Sequence, residues 1–225
     1  TKEVKVLYKL VDDHTLTYSF DFIIGENETL TIDPIYLDWA TYFVGEKSEL
    51  AWSWTWITDV DIDENDKAYS MGITGDKFPT KPGVYDSTVN GQYDLFLCRM
   101  LQDGSDIDYF TYIGGSQYEY SYSMAATDDG KIYIFGTSSS TDFPTTVGSL
   151  KPKKTGAGYS NFILGINQTG SKLIYSTYLC AGVNSWWNST AVDVNEQGEV
   201  IIALNRNTSC FPETHRINFT TNNQT

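Results

Sequence analysis

Carboxylates gather most densely at Asp59, Asp61, Asp63, Glu64 and Asp66. Oxygen ligands at alternate positions suit a hard cation such as calcium, whose loops draw on positions one, three and five. Asp59, Asp61 and Asp63 fill those places, and the pattern then breaks. Position six is Glu64, where the loop needs Gly for its sharp turn, and position twelve is Ser70, where a bidentate Glu belongs. The same stretch also reads as strand, polar hairpin turn, strand. Calcium is thus the single cofactor candidate, on Asp59, Asp61 and Asp63, and no other cofactor is expected.

Trp52, Trp54 and Trp56 alternate with Ser53 and Thr55, so on a strand the three indoles share one face. Such a row can stack on sugar rings. It can equally pack one sheet on another, because large aromatics dominate core burial. Tyr118, Tyr120 and Tyr122 make a similar row, and Trp186-Trp187 fall at a corresponding place further on.

Catalytic signatures are absent from the order of residues, and no catalytic residue is expected. His14 and His215 are the only histidines, and neither has a metal-ligand spacing or a nucleophile motif beside it. Acid/base chemistry needs two carboxylates singled out in a cleft, and nothing in the sequence selects such a pair. Six Asn-x-Ser/Thr sequons stand at Asn27, Asn167, Asn188, Asn207, Asn218 and Asn223; each is a glycosylation candidate if the chain is surface-exposed and secreted. Of three cysteines, Cys180 and Cys210 lie 30 residues apart and form the candidate disulfide, while Cys98 sits in an apolar alternation and reads as a buried thiol.

The elements that must position these residues are strands, and they recur. Asp61-Ile62-Asp63-Glu64-Asn65-Asp66-Lys67-Ala68-Tyr69, Ala125-Ala126-Thr127-Asp128-Asp129-Gly130-Lys131-Ile132-Tyr133 and Asp193-Val194-Asn195-Glu196-Gln197-Gly198-Glu199-Val200-Ile201 each read as strand, tight polar turn, strand, with offsets of 64 and 68. Phe78-Pro79-Thr80 recurs as Phe143-Pro144-Thr145 and as Phe211-Pro212-Glu213. Thr41-Tyr42-Phe43 recurs as Thr111-Tyr112-Ile113 and Thr177-Tyr178-Leu179. In the middle copy, strands are expected at 120–126, 131–136, 161–166 and 173–179, with a Ser/Thr/Pro/Gly-rich loop over 137–159. Four antiparallel strands per unit make one blade of a propeller, and stacking neighbours is what buries both of its faces.

The expected fold is therefore all-β: β-propeller blades of four antiparallel strands, about two full blades and a partial one. Residues 1–38 are expected as a short preceding β segment, either a lead-in to the first blade or the end of a preceding β domain, and 39–225 as the repeat region, with repeats near 41–110 and 111–176 and a partial one over 177–225. A propeller closes with four or more blades, so the reading expects either further chain or completion by other copies.

The combination of Thr-Tyr, a polar turn into Gly-x-x-Tyr (Gly130 to Tyr133, with Thr127 where the repeat's Asp-x-x-Gly-x-x-Tyr has Asp) and a Ser/Thr-rich run into Phe-Pro-Thr, best kept from Thr111-Tyr112-Ile113-Gly114-Gly115 through Tyr178, resembles the SBBP β-propeller repeat. Leu30-Thr31-Ile32-Asp33-Pro34 is similar to the segment that introduces such repeats. Departures are Val44-Gly45 and Cys180-Ala181 in place of the Gly-Gly pair, and Asp66 in place of the turn Gly. The resemblance implies an extracytoplasmic, modular protein and no single activity.

A net charge of −14 excludes nucleic acid as the expected partner, since phosphate binding needs clustered Lys and Arg. No apolar run approaches the roughly 20 residues of a transmembrane helix. The expected role is a non-enzymatic extracellular scaffold in a structural or adhesive cell-surface glycoprotein, such as a surface layer, filament or adhesin. Its partners would be other surface proteins or copies of itself. The alternative is a propeller that binds or processes carbohydrate through its aromatic rows.

Overall fold

The computed structural model describes residues 7–12, 15–19, 45–46, 54–180, 190–195 and 199–204. The chain divides into two compact units, Thr1–Asp38 and Trp39–Thr225. In the first, β1 (Leu7–Asp12) and β2 (Thr15–Ser19) pair antiparallel, from Leu7 opposite Ser19 to Asp12 opposite Thr15.

The second unit is built of antiparallel sheets, and no helix occurs among the described residues. Sheet one runs β3 (Thr55–Ile62), β4 (Ala68–Thr74), β5 (Asp94–Met100) and β6 (Ile107–Ile113), each strand beside the one before it. Sheet two repeats the meander with β7 (Glu119–Ala126), β8 (Ile132–Ser138), β9 (Ser160–Ile166) and β10 (Leu173–Tyr178). A third sheet holds the hairpin β11 (Thr190–Val194) and β12 (Val200–Leu204). Strands 120–126, 131–136, 161–166 and 173–179 thus sit where the sequence places them, within two residues. The repeats drawn from the Thr-Tyr motif are out of phase with the sheets, because that motif lies on β6 and β10, the last strand of each.

Turn chemistry sets the hairpins. Thr127-Asp128-Asp129-Gly130 closes with Gly130 at φ 74°, and Asp66 holds the same place at φ 56°. Aspartate is among the few side chains that tolerate the left-handed region. There the Asp63 carboxylate accepts the N–H groups of Asn65 (2.9 Å) and Lys67 (3.0 Å) and the Tyr69 hydroxyl (2.9 Å). At the matching position Thr127 Oγ1 accepts the Lys131 N–H at 2.9 Å.

The first strands of both sheets carry a bulge at the same place, Thr58 in β3 and Tyr122 in β7. A bulge bends its strand and strengthens the twist. Opposite it stands a glycine, Gly72 or Gly136. A Cβ there would lie 1.9 Å from the Trp56 carbonyl oxygen or 2.2 Å from that of Tyr120, with the Phe96 or Phe162 ring closing the other side.

Every residue of β9 is buried, and nearly every one of β4, β5 and β8. A strand buried on both faces belongs to a sheet covered on both sides. Met71, Leu97 and Ile113 on the front of sheet one pack into a core with Phe162, Leu164 and Ile166 on the back of sheet two. The front of sheet two presents the counterparts Phe135, Ile163 and Leu179, and these pack on Val192 of β11. The back of sheet one carries Phe96, Cys98 and Met100, the counterparts of Phe162, Leu164 and Ile166, in a separate buried cluster with Phe78, Phe110 and Tyr112. The joint is therefore front-to-back and occurs twice.

Polar contacts repeat with it. Asp59 accepts the Met124 N–H (2.8 Å) and Asp61 that of Ala126 (2.7 Å), from β3 to β7. One sheet on, Ser123 Oγ accepts the Val192 N–H at 3.3 Å.

Candidate functional site

Trp54 and Trp56 stand at the start of β3 with one residue between them, so both indoles project from the front of sheet one. Ile73 of β4 lies beneath them, and Tyr93, just before β5, and Tyr120 of β7 complete a cavity of about 270 Å³. The site spans the seam between sheets one and two. Trp54 is 50 % and Trp56 47 % exposed, so the indoles form an open cup rather than a filled joint. Their rings lie 6.4 Å apart and tilt by 58°. A flat sugar platform needs coplanar faces; two indoles at this angle form a corner.

The far wall is pinned from behind. Tyr93 and Tyr118 meet in a parallel bridge between the sheets, with the Glu119 N–H donating to the Tyr93 carbonyl at 2.9 Å. Their rings lie 5.9 Å apart, and Tyr120 meets Tyr159 edge-on at 5.8 Å. Burial pushes the Tyr93 hydroxyl's pKa up, with Tyr118 and then the Asp76 carboxylate adding to it. Burial also raises Tyr120, helped by Tyr159.

Behind the tyrosines lies buried acid. Asp94 is fully buried and accepts the N–H groups of Asn90 (2.8 Å) and Gly91 (3.1 Å). Desolvation pushes its pKa up to about 7, against those bonds, and the charge of Glu119 adds to the rise. Glu119, also fully buried, accepts from the Ser138 and Ser140 hydroxyls (2.6 Å each) and the Gly115 N–H (3.1 Å), and its pKa is raised by burial. Gly114 and Gly115 make this packing possible: a Cβ on Gly114 would fall 2.4 Å from the Asp94 carboxyl, and one on Gly115 2.5 Å from the Ser140 Cβ.

The acidic run from Asp59 to Asp66 is not drawn together. Asp59 and Asp61 reach across to β7, and Asp63 turns into its own hairpin. Among the described residues no group of three or more His, Cys, Asp or Glu side chains is arranged to hold a metal ion. A second cavity, of about 290 Å³, lies between Lys81, Arg99, Tyr109 and Ser171. Its guanidinium is engaged by Asp108 (2.7 Å) and the Gln168 carbonyl (2.7 Å) and lies over the Tyr109 ring.

Asn167 caps the β9–β10 turn, its Oδ1 accepting the N–H groups of Ser171 (2.9 Å) and Lys172 (3.0 Å) while its Nδ2 donates to Ser171 Oγ (3.1 Å). Cys98 is free and buried, and burial pushes its thiol up to about 12; Cys180 is disulfide-bonded. Trp52, Cys210 and the sequons at Asn27, Asn188, Asn207, Asn218 and Asn223 lie outside the described residues. No helix of the described residues is long and apolar enough to cross a membrane.

Sequence reasoning identified Trp54, Trp56 and Tyr120 but missed Tyr93, Asp94 and Glu119. A signal for Tyr93 existed in its alignment with Tyr159, 66 residues on, each just ahead of the third strand of its sheet. Comparison with protein-family models and with curated proteins returns no match for this chain.

Proposed function

We propose that this chain is a non-enzymatic β-propeller scaffold of the SBBP type, carried by an extracellular structural or adhesive protein of the cell surface. The observation behind the reading is the repeated front-to-back joint: Met71, Leu97 and Ile113 meet the next sheet as Phe135, Ile163 and Leu179 meet the one after. Such a heterologous contact extends until its rotation closes a ring. Exposed Val60 and Ile62, at 67 % and 63 %, match Met124 and Ala126, which face sheet one. A preceding sheet would dock along these β3 positions, beside the cluster of Phe96, Cys98 and Phe110 that is already buried. The joints combine apolar packing with side-chain hydrogen bonds to the next sheet's backbone, which suits a rigid support, and the loops between strands are where such folds carry recognition.

The test is protease shaving of intact cells of the producing organism, followed by electron microscopy of the released protein. Peptides of this chain in the shaved fraction and ring-shaped particles of radial sheets are expected. Recovery only from lysed cells would overturn the surface assignment, and extended or shapeless particles would overturn the propeller.

A further inference from the structure

We infer that the aromatic cup at the seam of the two four-stranded sheets binds a small organic cation with a quaternary ammonium head group, of the choline type. Four aromatic side chains converge there, Trp54 and Trp56 from one sheet edge and Tyr93 and Tyr120 opposite, over an apolar floor at Ile73. Aromatic faces are negative in their quadrupole, and walls at an angle let several faces reach one cation at once. The 58° tilt between the indoles supplies that angle.

Size and charge point the same way. Drug-sized ligands occupy about 300–1,000 Å³, so a cavity of about 270 Å³ suits a compact head group. Among the described residues no Lys or Arg lines the cup. The Asp76 carboxylate accepts from Thr55, the residue between the two indoles, at 3.1 Å, and the whole chain carries −14, so the surrounding field favours a cation. Lysine and arginine side chains are strongly solvated and seek hydrogen-bond acceptors. A methylated ammonium needs none, which fits walls that offer mainly carbon.

The inference is independent of the scaffold reading and is tested on the full chain. Tryptophan fluorescence is titrated with choline chloride and tetramethylammonium chloride at fixed ionic strength, beside the neutral isostere 3,3-dimethylbutan-1-ol and the disaccharide cellobiose. Saturable binding of both cations is expected, with the neutral isostere at least about tenfold weaker, the ratio that about 1.4 kcal/mol of cation–π attraction gives. Equal binding of the isostere, saturation by cellobiose alone, or no saturation by either cation overturns it. Tyr93→Phe keeps an aromatic face and should retain binding, whereas Tyr93→Leu and Trp56→Ala should each weaken it at least about fivefold with the circular dichroism spectrum unchanged. Should those two variants unfold, the choline-to-isostere ratio on the unaltered chain decides. Co-sedimentation with phosphatidylcholine vesicles, but not with phosphatidylglycerol ones, would assign the head group to a lipid; its absence with choline bound would assign a free small molecule.

Discussion

Asp59 on the first strand of one sheet holds the Met124 N–H of the next sheet at 2.8 Å, and Ser123, its counterpart one unit later, holds the Val192 N–H in the same way. A carboxylate and a hydroxyl thus serve one mechanical purpose at two successive joints. Hydrogen bonds to charged groups contribute about 1.5–3 kcal/mol. Asp59→Ala should therefore destabilise the chain by about 2 kcal/mol in urea unfolding. Asp59→Ser, which copies the second joint, should recover part of that loss. Equal stability of Asp59→Ala and the parent would mean the contact carries no net energy.

Glycine is required where the bulge meets the next strand. Gly136→Ala would drive a methyl group to 2.2 Å from the Tyr120 carbonyl oxygen, a backbone atom with nowhere to go. Overpacking of this kind costs about 1–3 kcal/mol or more. Gly148 has φ 80° but open space around it, so Gly148→Ala should cost about 1–2 kcal/mol through backbone strain alone. Thermal unfolding of the two variants side by side should rank Gly136→Ala as the more damaging.

The buried carboxyls make stability fall as pH rises. The pKa of Asp94 is raised in the folded chain to about 7 from an ordinary value of 3.8, and that of Glu119 is raised as well. A group with a raised folded pKa holds its proton in the native state after the unfolded chain has released it. Its contribution is complete below the unfolded pKa and is lost as pH climbs from about 4 to 7. The urea midpoint should therefore be higher at pH 5 than at pH 8. Repulsion among the surface acids slopes the same way, so Asp94→Asn is the control: it should flatten the dependence, and an unchanged slope would exclude Asp94 as a source.

Met124 and Val60 occupy the same place in successive sheets but differ in surroundings, Met124 being 5 % and Val60 67 % exposed. Truncating a core methionine costs about 2–5 kcal/mol, while a change at an exposed position stays within about 0.5 kcal/mol. Met124→Ala should unfold at much lower urea than Val60→Ala. If a preceding sheet docks on sheet one, Val60→Ala becomes costly in the longer assembly while remaining mild in this chain.

Signatures that recur in the sequence turn out to be partners in space. The Tyr112 hydroxyl accepts the Phe78 N–H at 2.7 Å and donates to the Asp76 carbonyl at 3.0 Å, and the Tyr178 hydroxyl donates to the Ser140 carbonyl at 2.8 Å. The Thr-Tyr and Phe-Pro motifs therefore recur together because one clamps the other. Phe78 and Phe143 then stack on Phe96 and Phe162. Turns at Asp66 and Gly130 were legible because local backbone chemistry decides them. The bulges at Thr58 and Tyr122 were not, since strand alternation assumes an unbroken period of two. Nor were Asp94 and Glu119, whose carboxyls are enclosed by turns that fold back over them, Asn90-Gly91 on Asp94 and Gly115 with Ser138 and Ser140 on Glu119; strand alternation does not say which turn will close over a side chain. The acidic run looked like a ligand set for the same reason: alternation places Asp59 and Asp61 on one side of a strand but does not say that a neighbouring backbone waits there.

A joint in which every sheet offers one surface and accepts the other has no preferred beginning. Removing or duplicating one whole unit keeps the front-to-back form of the joint although its side chains change, whereas an insertion of one residue within a strand would flip side chains from one surface to the other. Genes for such chains are free to lengthen or shorten in whole units of about 66 residues, with the loops between strands absorbing the smaller differences.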